Sequence, residues 1–295
     1  MTESQTHSRY GKTDLLLLLM ALIWGVNFTV IKFATGVFSP LAFTGLRVGL
    51  AAVVLLAIAG VQRHKWPPRR DILVLIGLGV VGNGAYQLLF IEGLSRTKVA
   101  NAALVIAAAP AFIAIASRLR GVEQLRWRTV AGVGVSVSGV ALVIHGSART
   151  GGDNGTMLGT LLVFSGVFCW TFFTVFLQPY ASRVDPIHMS ALTMAGGTLP
   201  LLIATPGALL ATRWEAVGPS AWFALFYASI ISMVIAYQFW YRGLRVLGPT
   251  RTAVYGNLQP VIATGVAWIF LHEAPTMWQA IGTGTIMTGL FLTRS

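Results

Sequence analysis

Apolar runs long enough to cross a hydrocarbon core as a helix follow one another along almost the whole chain. They cover roughly residues 14–36, 41–61, 72–92, 97–118, 127–145, 157–178, 187–209, 218–242, 249–271 and 276–293. With 55% hydrophobic and 10% charged residues, and a mean hydropathy of +0.73, the chain lacks the polar side chains to cover a water-facing globule. A backbone in hydrocarbon must satisfy its own hydrogen bonds, so only helices and closed barrels can span. Barrel strands alternate apolar and polar residues, and these runs do not. The chain is expected to be an all-α polytopic membrane protein with ten transmembrane helices.

The first run, "KTDLLLLLMALIW", has the basic lead and leucine-rich core of a signal peptide. No small-residue cleavage site follows, and the run continues through Trp24, Asn27 and Phe28 to Lys32. It is expected to be a retained first helix behind a short cytoplasmic segment, residues 1–13. The net charge of +12 raises the question of nucleic acid, but topology accounts for it. With ten helices and the N-terminus inside, cytoplasmic segments hold Arg9, Lys12, Arg63, Lys65, Arg69, Arg70, Arg118, Arg120, Arg126, Arg128, Arg183, Arg242, Arg245, Arg251 and Arg294. The other side holds Arg96, Lys98, Arg149 and Arg213. This asymmetry follows the positive-inside rule, places both termini in the cytoplasm and leaves no role for nucleic acid. Cys169, the single cysteine, lies within an apolar run and excludes an internal disulfide framework.

The chain also repeats itself. "GLSRTKVANAALVIAAAP" (93–110) and "GLRVLGPTRTAVYGNLQP" (243–260) share their opening, an interior alanine and a closing proline. At the same offset Glu123 meets Glu273, Gly132 meets Gly282, Gly134 meets Gly284, and Gly139 meets Gly289. With one residue of slippage, Ala85-Tyr86-Gln87 meets Ala236-Tyr237-Gln238, and Trp24 pairs more weakly with Trp170. The unit holds five helices: residues 14–145, then a linker over 146–156, then 157–295. Five is odd, so the two copies must lie in opposite orientations. The loops agree: "RLRGVEQLRWR" (118–128) carries four arginines around Glu123, while "WIFLHEAPTMW" (268–278) keeps the Glu and has none. Inverted repeats of this kind recur in secondary transporters, with the substrate held near the midplane between halves.

Two five-helix halves, a proline in each fourth helix and a Glu before each glycine-rich fifth helix resemble the drug/metabolite transporter superfamily, EamA type. The Trp-bearing first helix ("ALIWGVNF") and an Arg in the second ("FTGLRVGLA") add to the resemblance. It covers essentially the whole chain. It implies a ten-helix bundle around a central cavity, with the fifth and tenth helices largely peripheral, in a bacterial inner membrane. It also implies export of amino acids, related metabolites or drugs.

Each intramembrane charge costs on the order of 2–3 kcal/mol to insert and is a functional candidate. Lys32 lies late in the first helix and Arg47 about seven residues into the second. Both have a structural account, snorkelling or capping carbonyls, and a functional one, attraction of a substrate carboxylate or gating. No acidic residue falls at the centre of a span, and only Glu92 comes close. This argues against an obligate cation/proton antiporter. Neutral faces at helical spacing come from Trp24, Asn27 and Phe28 in the first helix and Asn83, Tyr86, Gln87 and Phe90 in the third. Trp170, Thr174 and Gln178 follow in the sixth, Tyr237, Gln238 and Tyr241 in the eighth, and Tyr255, Asn257 and Gln259 in the ninth. Interhelical hydrogen bonding and interfacial aromatics could account for such faces, and so could a cavity for a small amphipathic solute. Inversion would set Tyr86 and Tyr237 on opposite walls of that cavity. Pro110 and Pro260 should bend the fourth and ninth helices by clashing with the carbonyls of Ile106 and Gly256, as static kinks or as gating points.

Other motifs carry no chemistry. "GLGVVG" (77–82) matches a dinucleotide-binding pattern but lacks the surrounding strand–helix–strand unit. "GVGVSVSG" and "GTGTIMTG" read as small-residue packing surfaces within a monomer or between the protomers of a homodimer. The five histidines are scattered and suggest no metal site, and no cofactor is expected. The expected partners are the lipid bilayer and a small-molecule solute. The expected function is alternating-access export of small metabolites, amino acids foremost. The alternatives are a multidrug exporter and, less well supported, an intramembrane enzyme, for which no carboxylate cluster or Ser/His pair is present.

Overall fold

The computed structural model describes residues 3–62, 64–121, 127–149 and 154–294, so Arg63, Glu123, Arg126 and the centre of the linker lie outside the described residues. Ten helical spans run in sequence. They are α1 (Glu3–Ala34), α2 (Pro40–Val61), α3 (Arg69–Arg96), α4 (Val99–Leu119) and α5 (Trp127–Arg149), then α6 (Asn154–Ala181), α7 (Pro186–Ala204), α8 (Pro219–Leu247), α9 (Pro249–Leu271) and α10 (Met277–Arg294). Eight of them are long and apolar enough to cross a membrane, and α5 and α10 are not among those eight. These two lie along one another, away from the centre. The chain is an all-α polytopic protein built as two inverted five-helix repeats.

Local chemistry explains the boundaries. Ser39 caps α2, its Oγ accepting from the Ala42 N–H at 3.3 Å, with Pro40 at the first helical position. Asp185 caps α7 in the same way, accepting from Ile187 N–H at 2.9 Å, with Pro186 following. Proline there loses only an N–H that no helix would have used. The two caps stand 146 positions apart, so α2 and α7 begin in register, and the repeat is visible in their first turns.

Pro110 and Pro260 act differently from a bend inside a continuous helix. The helix in α4 closes at Ile106 and restarts at Ala109, with Ala107 and Ala108 bridging and the Ala108 and Ala111 N–H groups bonding back only three residues. A 3₁₀ turn over Gly256–Leu258 interrupts α9, and the helix restarts at Gln259. Each proline therefore sits in the first turn of a second half-helix, where its missing N–H costs little. The third and eighth spans carry a matching irregularity, π-helical turns over Val80–Ala85 and Tyr227–Ile235. Each ends at the Ala-Tyr-Gln triplet, and the extra residue per turn reorients the side chains beyond it.

The halves are tied internally by cations. In the first repeat Lys32, at the end of α1, donates to the carbonyls of Leu94, Ser95 and Thr97 at the end of α3, at 3.1, 2.9 and 2.8 Å. In the second, Arg245 at the end of α8 donates to the carbonyls of Ala181 and Val184 at the end of α6. Both clamps join the first and third helices of a repeat at their C-terminal ends, where a positive charge complements the helix dipole. The donor has changed helix while the clamp has stayed. Lys32 thus caps carbonyls, the structural one of its two sequence readings.

Packing between α3 and α7 is backbone to backbone. A Cβ added at Gly79 would lie 2.0 Å from the Thr193 carbonyl oxygen, whereas one added at Gly77 meets nothing within 4 Å. Gly79→Ala should therefore destabilise the protein by about 1–3 kcal/mol through overpacking. Gly77→Ala should be neutral or slightly stabilising, by up to about 1 kcal/mol, because alanine narrows the unfolded ensemble. Thermal unfolding of the two variants in detergent checks the order.

Candidate functional site

A small cavity lies between the two repeats. Its walls come from α1 to α4 of the first repeat and from α6, α8 and α9 of the second. Its volume is about 60 Å³, room for a few water molecules and far below the ~300–1,000 Å³ of sites that enclose small molecules.

Aromatic rings form most of the wall. Trp24 and Trp170, the repeat-related pair, meet edge to face at 5.9 Å. Tyr237 and Trp240 of α8 lie 5.4 and 5.6 Å from Trp24, and Trp240 lies 5.2 Å from Trp170. Tyr86 lies against Trp170 at 5.2 Å and stacks on Phe90 at 5.6 Å. Edge-to-face and offset contacts at these separations are worth about 0.5–1.5 kcal/mol each beyond the area they bury. The Trp24 indole N–H donates across the repeats to the Ser232 carbonyl at 3.1 Å, so the ring is fixed in orientation.

Of the residues singled out in the sequence, Trp24, Asn27, Tyr86, Gln87, Trp170, Tyr237 and Gln259 line this cavity, together with Arg47 and Pro110. Asn83 stands just behind it, accepting from the Tyr237 hydroxyl at 3.2 Å, while Gln87 Nε2 donates to that hydroxyl at 3.3 Å. Gln238 and Tyr241 turn away toward α7, bonding Ser190 and Thr193. Thr174 is buried outside the lining, and so is Asn257. The Tyr255 hydroxyl donates to Asp14 of α1 at 2.6 Å, and Tyr255 does not line the cavity although Ala253 and Gly256 beside it do. Pro260 is buried but does not line it. Trp240 and Ser232 do line it, and neither was singled out in the sequence. Trp240 could have been found three residues after Tyr237, on the same helical face.

The polar groups of the cavity are unevenly satisfied. Asn27 Oδ1, Gln87 Oε1 and the Nε and Nη1 of Arg47 are buried without a hydrogen-bond partner. Among the described residues no carboxylate lines the cavity.

Besides the central bonds of Trp24 and Tyr237 and the packing of α3 on α7, polar contacts join the repeats at both ends of the bundle. At the end of α1 near Lys32, the Val99 N–H donates to Glu273 Oε2 at 2.8 Å. Thr97 meets Thr160 at 2.8 Å, and Gln279 donates to Asn101 at 2.7 Å. At the other end, roughly 27 Å away along α1, Tyr255 bonds Asp14 and Arg242 bonds Thr13 at 3.2 Å. Arg183 pairs there with Asp71 at 3.1 Å.

An inverted pair of helical repeats around a shared polar and aromatic cavity defines the class of multi-pass membrane transporters. The EamA-like transporter family model matches residues 11–145 and again 157–295. The chain belongs to that family. A protein named uncharacterized transporter from Archaeoglobus fulgidus is 31% identical over 96% of this chain and 97% of its own. The uncharacterized transporter YyaM of Bacillus subtilis is 27% identical over 94% of this chain and 91% of its own. A protein of Escherichia coli K12 named probable amino-acid metabolite efflux pump is 27% identical over 95% and 94%. A crystal structure at 22% identity superposes with a TM-score of 0.68 over 96% of both chains and shares the fold.

The two repeat-related tyrosines carry different loads. Removing the Tyr237 hydroxyl strips buried Asn83 and Gln87 of a partner, so Tyr237→Phe should cost about 1–3 kcal/mol. The Tyr86 hydroxyl makes no hydrogen bond among the described residues, and Tyr86→Phe should stay within about 0.5 kcal/mol of the parent. Unfolding midpoints of the two single variants provide the check.

Proposed function

We propose that this transporter exports small metabolites, amino acids or related compounds, across a bacterial inner membrane by alternating access. The observation that carries the proposal is the position of the cavity: residues of both repeats line it, so rocking one repeat against the other would expose it to one side at a time. The hydrogen bonds at the two ends of the bundle are the contacts such a motion would break in turn. The clamps at Lys32 and Arg245 lie within repeats and would travel with them.

The solute class is argued from the lining. Indole and phenol rings offer surface to an apolar side chain, and the unpaired oxygens of Asn27 and Gln87 offer acceptors to an ammonium group. The name of the Escherichia coli relative adds weight to amino acids. A multidrug exporter would use the same rings, but cation-selective drug carriage is poorly served by a cavity without a carboxylate.

The experiment is flux from proteoliposomes preloaded with a mixture of labelled amino acids. Selective loss of one or a few of them, abolished by Trp170→Ala, supports the reading. Equal leakage of all solutes, or release of lipophilic dyes alone, overturns it. Sidedness has its own check in cells carrying a Cys169→Ala background. A cysteine at Lys65 should label only from the cytoplasmic side and one at Arg213 only from outside.

A further inference from the structure

We propose that Arg47 is a carboxylate anchor, and that the solutes of this transporter are small amphiphiles carrying a single carboxylate beside an apolar or aromatic body. The inference rests on the cavity being the transport site, as proposed above, and adds the charge of the solute that enters it.

Arg47 is the eighth residue of α2, is 2% exposed and lines the cavity. Its Nε and Nη1 have no hydrogen-bond partner, and no Asp or Glu stands in salt-bridge range among the described residues. It stacks on no ring either, since the cation–π contacts of the described residues belong to Arg120, Arg128 and Arg183. A guanidinium stays charged under all physiological conditions, so it cannot escape the cost of burial by losing its proton. Buried charges elsewhere are paired because an unpaired one is strongly destabilising.

The repeat shows that the fold does not demand this cation. Aligned on their caps, Ser39 with Asp185, the two helices place Thr193 where the first repeat has Arg47. Thr193 is fully satisfied, donating to the Met189 carbonyl at 2.9 Å and meeting the Tyr241 hydroxyl at 3.2 Å. The same frame therefore closes with a small neutral side chain on one side and carries an uncompensated cation on the other. Lys32, the other intramembrane cation, has its ammonium occupied by three carbonyls and is not part of the lining.

The charge to be matched is a single one in a planar donor fork. A carboxylate matches it in charge and geometry, whereas a phosphate dianion would call for a second cation that the lining does not supply. The rings of Trp24, Trp170, Tyr237 and Trp240 complete the description by receiving the body of the solute.

The test compares 3-phenylpropionate with its neutral isostere 3-phenylpropionamide, by calorimetric titration of the purified protein in detergent. The acid should bind roughly 10- to 100-fold more tightly than the amide, the range expected when one charged hydrogen-bonded pair is lost. Arg47→Gln should erase that preference, and Arg47→Lys should retain part of it. The wild-type comparison needs no variant to fold. Absence of an acid preference in the wild type, whether both probes bind or neither does, overturns the proposal, as does its survival in Arg47→Gln. Flux separates the two readings. Acid preference without amino-acid flux leaves the anchor standing and removes the export reading. Flux without acid preference does the reverse.

Discussion

Hydrocarbon supplies no hydrogen bonds, and every polar group inside this bundle must find its partner within the protein. That constraint shapes each level of the structure. It makes the backbone helical, and it puts Pro110 and Pro260 in first turns where an N–H is dispensable. It engages the Lys32 ammonium with three carbonyls, and it draws Tyr237, Asn83 and Gln87 into one chain of hydrogen bonds. Some buried groups still lack a partner, and of these Arg47, Asn27, Gln87 and Trp240 share one cavity, while others such as Thr29, Ser117 and Thr174 lie outside it.

The two repeats provide an internal control for what the frame requires. Paired caps begin α2 and α7, π turns precede both Ala-Tyr-Gln triplets, and a cation clamps the first and third helices of each repeat. Where the copies agree, the feature serves packing or motion. Where they differ inside the cavity, the frame does not account for the side chain. Arg47 opposite Thr193 is the sharpest difference, and Tyr86 with its free hydroxyl opposite the bonded Tyr237 is another.

Much of the site was legible from spacing. Trp24, Asn27, Tyr86, Gln87, Trp170 and Tyr237 lie on helical faces that a period of 3.6 reveals, and they meet at the cavity. Gln238, Tyr241 and Tyr255 have the same chemistry and comparable spacing but belong to α7 and α1 contacts instead. A single helix shows which residues share a face and not which neighbour that face meets. The π turn in α8 compounds this, because it rotates the remainder of the span relative to an ideal helix.

The sequence alone determined the solvent, the helix count and the inversion, because hydropathy, the odd number of spans per repeat and the placement of arginines are properties of the chain read along its length. The tertiary structure decided which polar side chains are paired. Lys32 and Arg47 are equally costly as isolated letters, and only the approach of the α3 carbonyls to one and of no acceptor to the other separates a structural clamp from an open charge. That difference arises between helices distant in sequence, where desolvation and partner geometry, not residue type, set the energy.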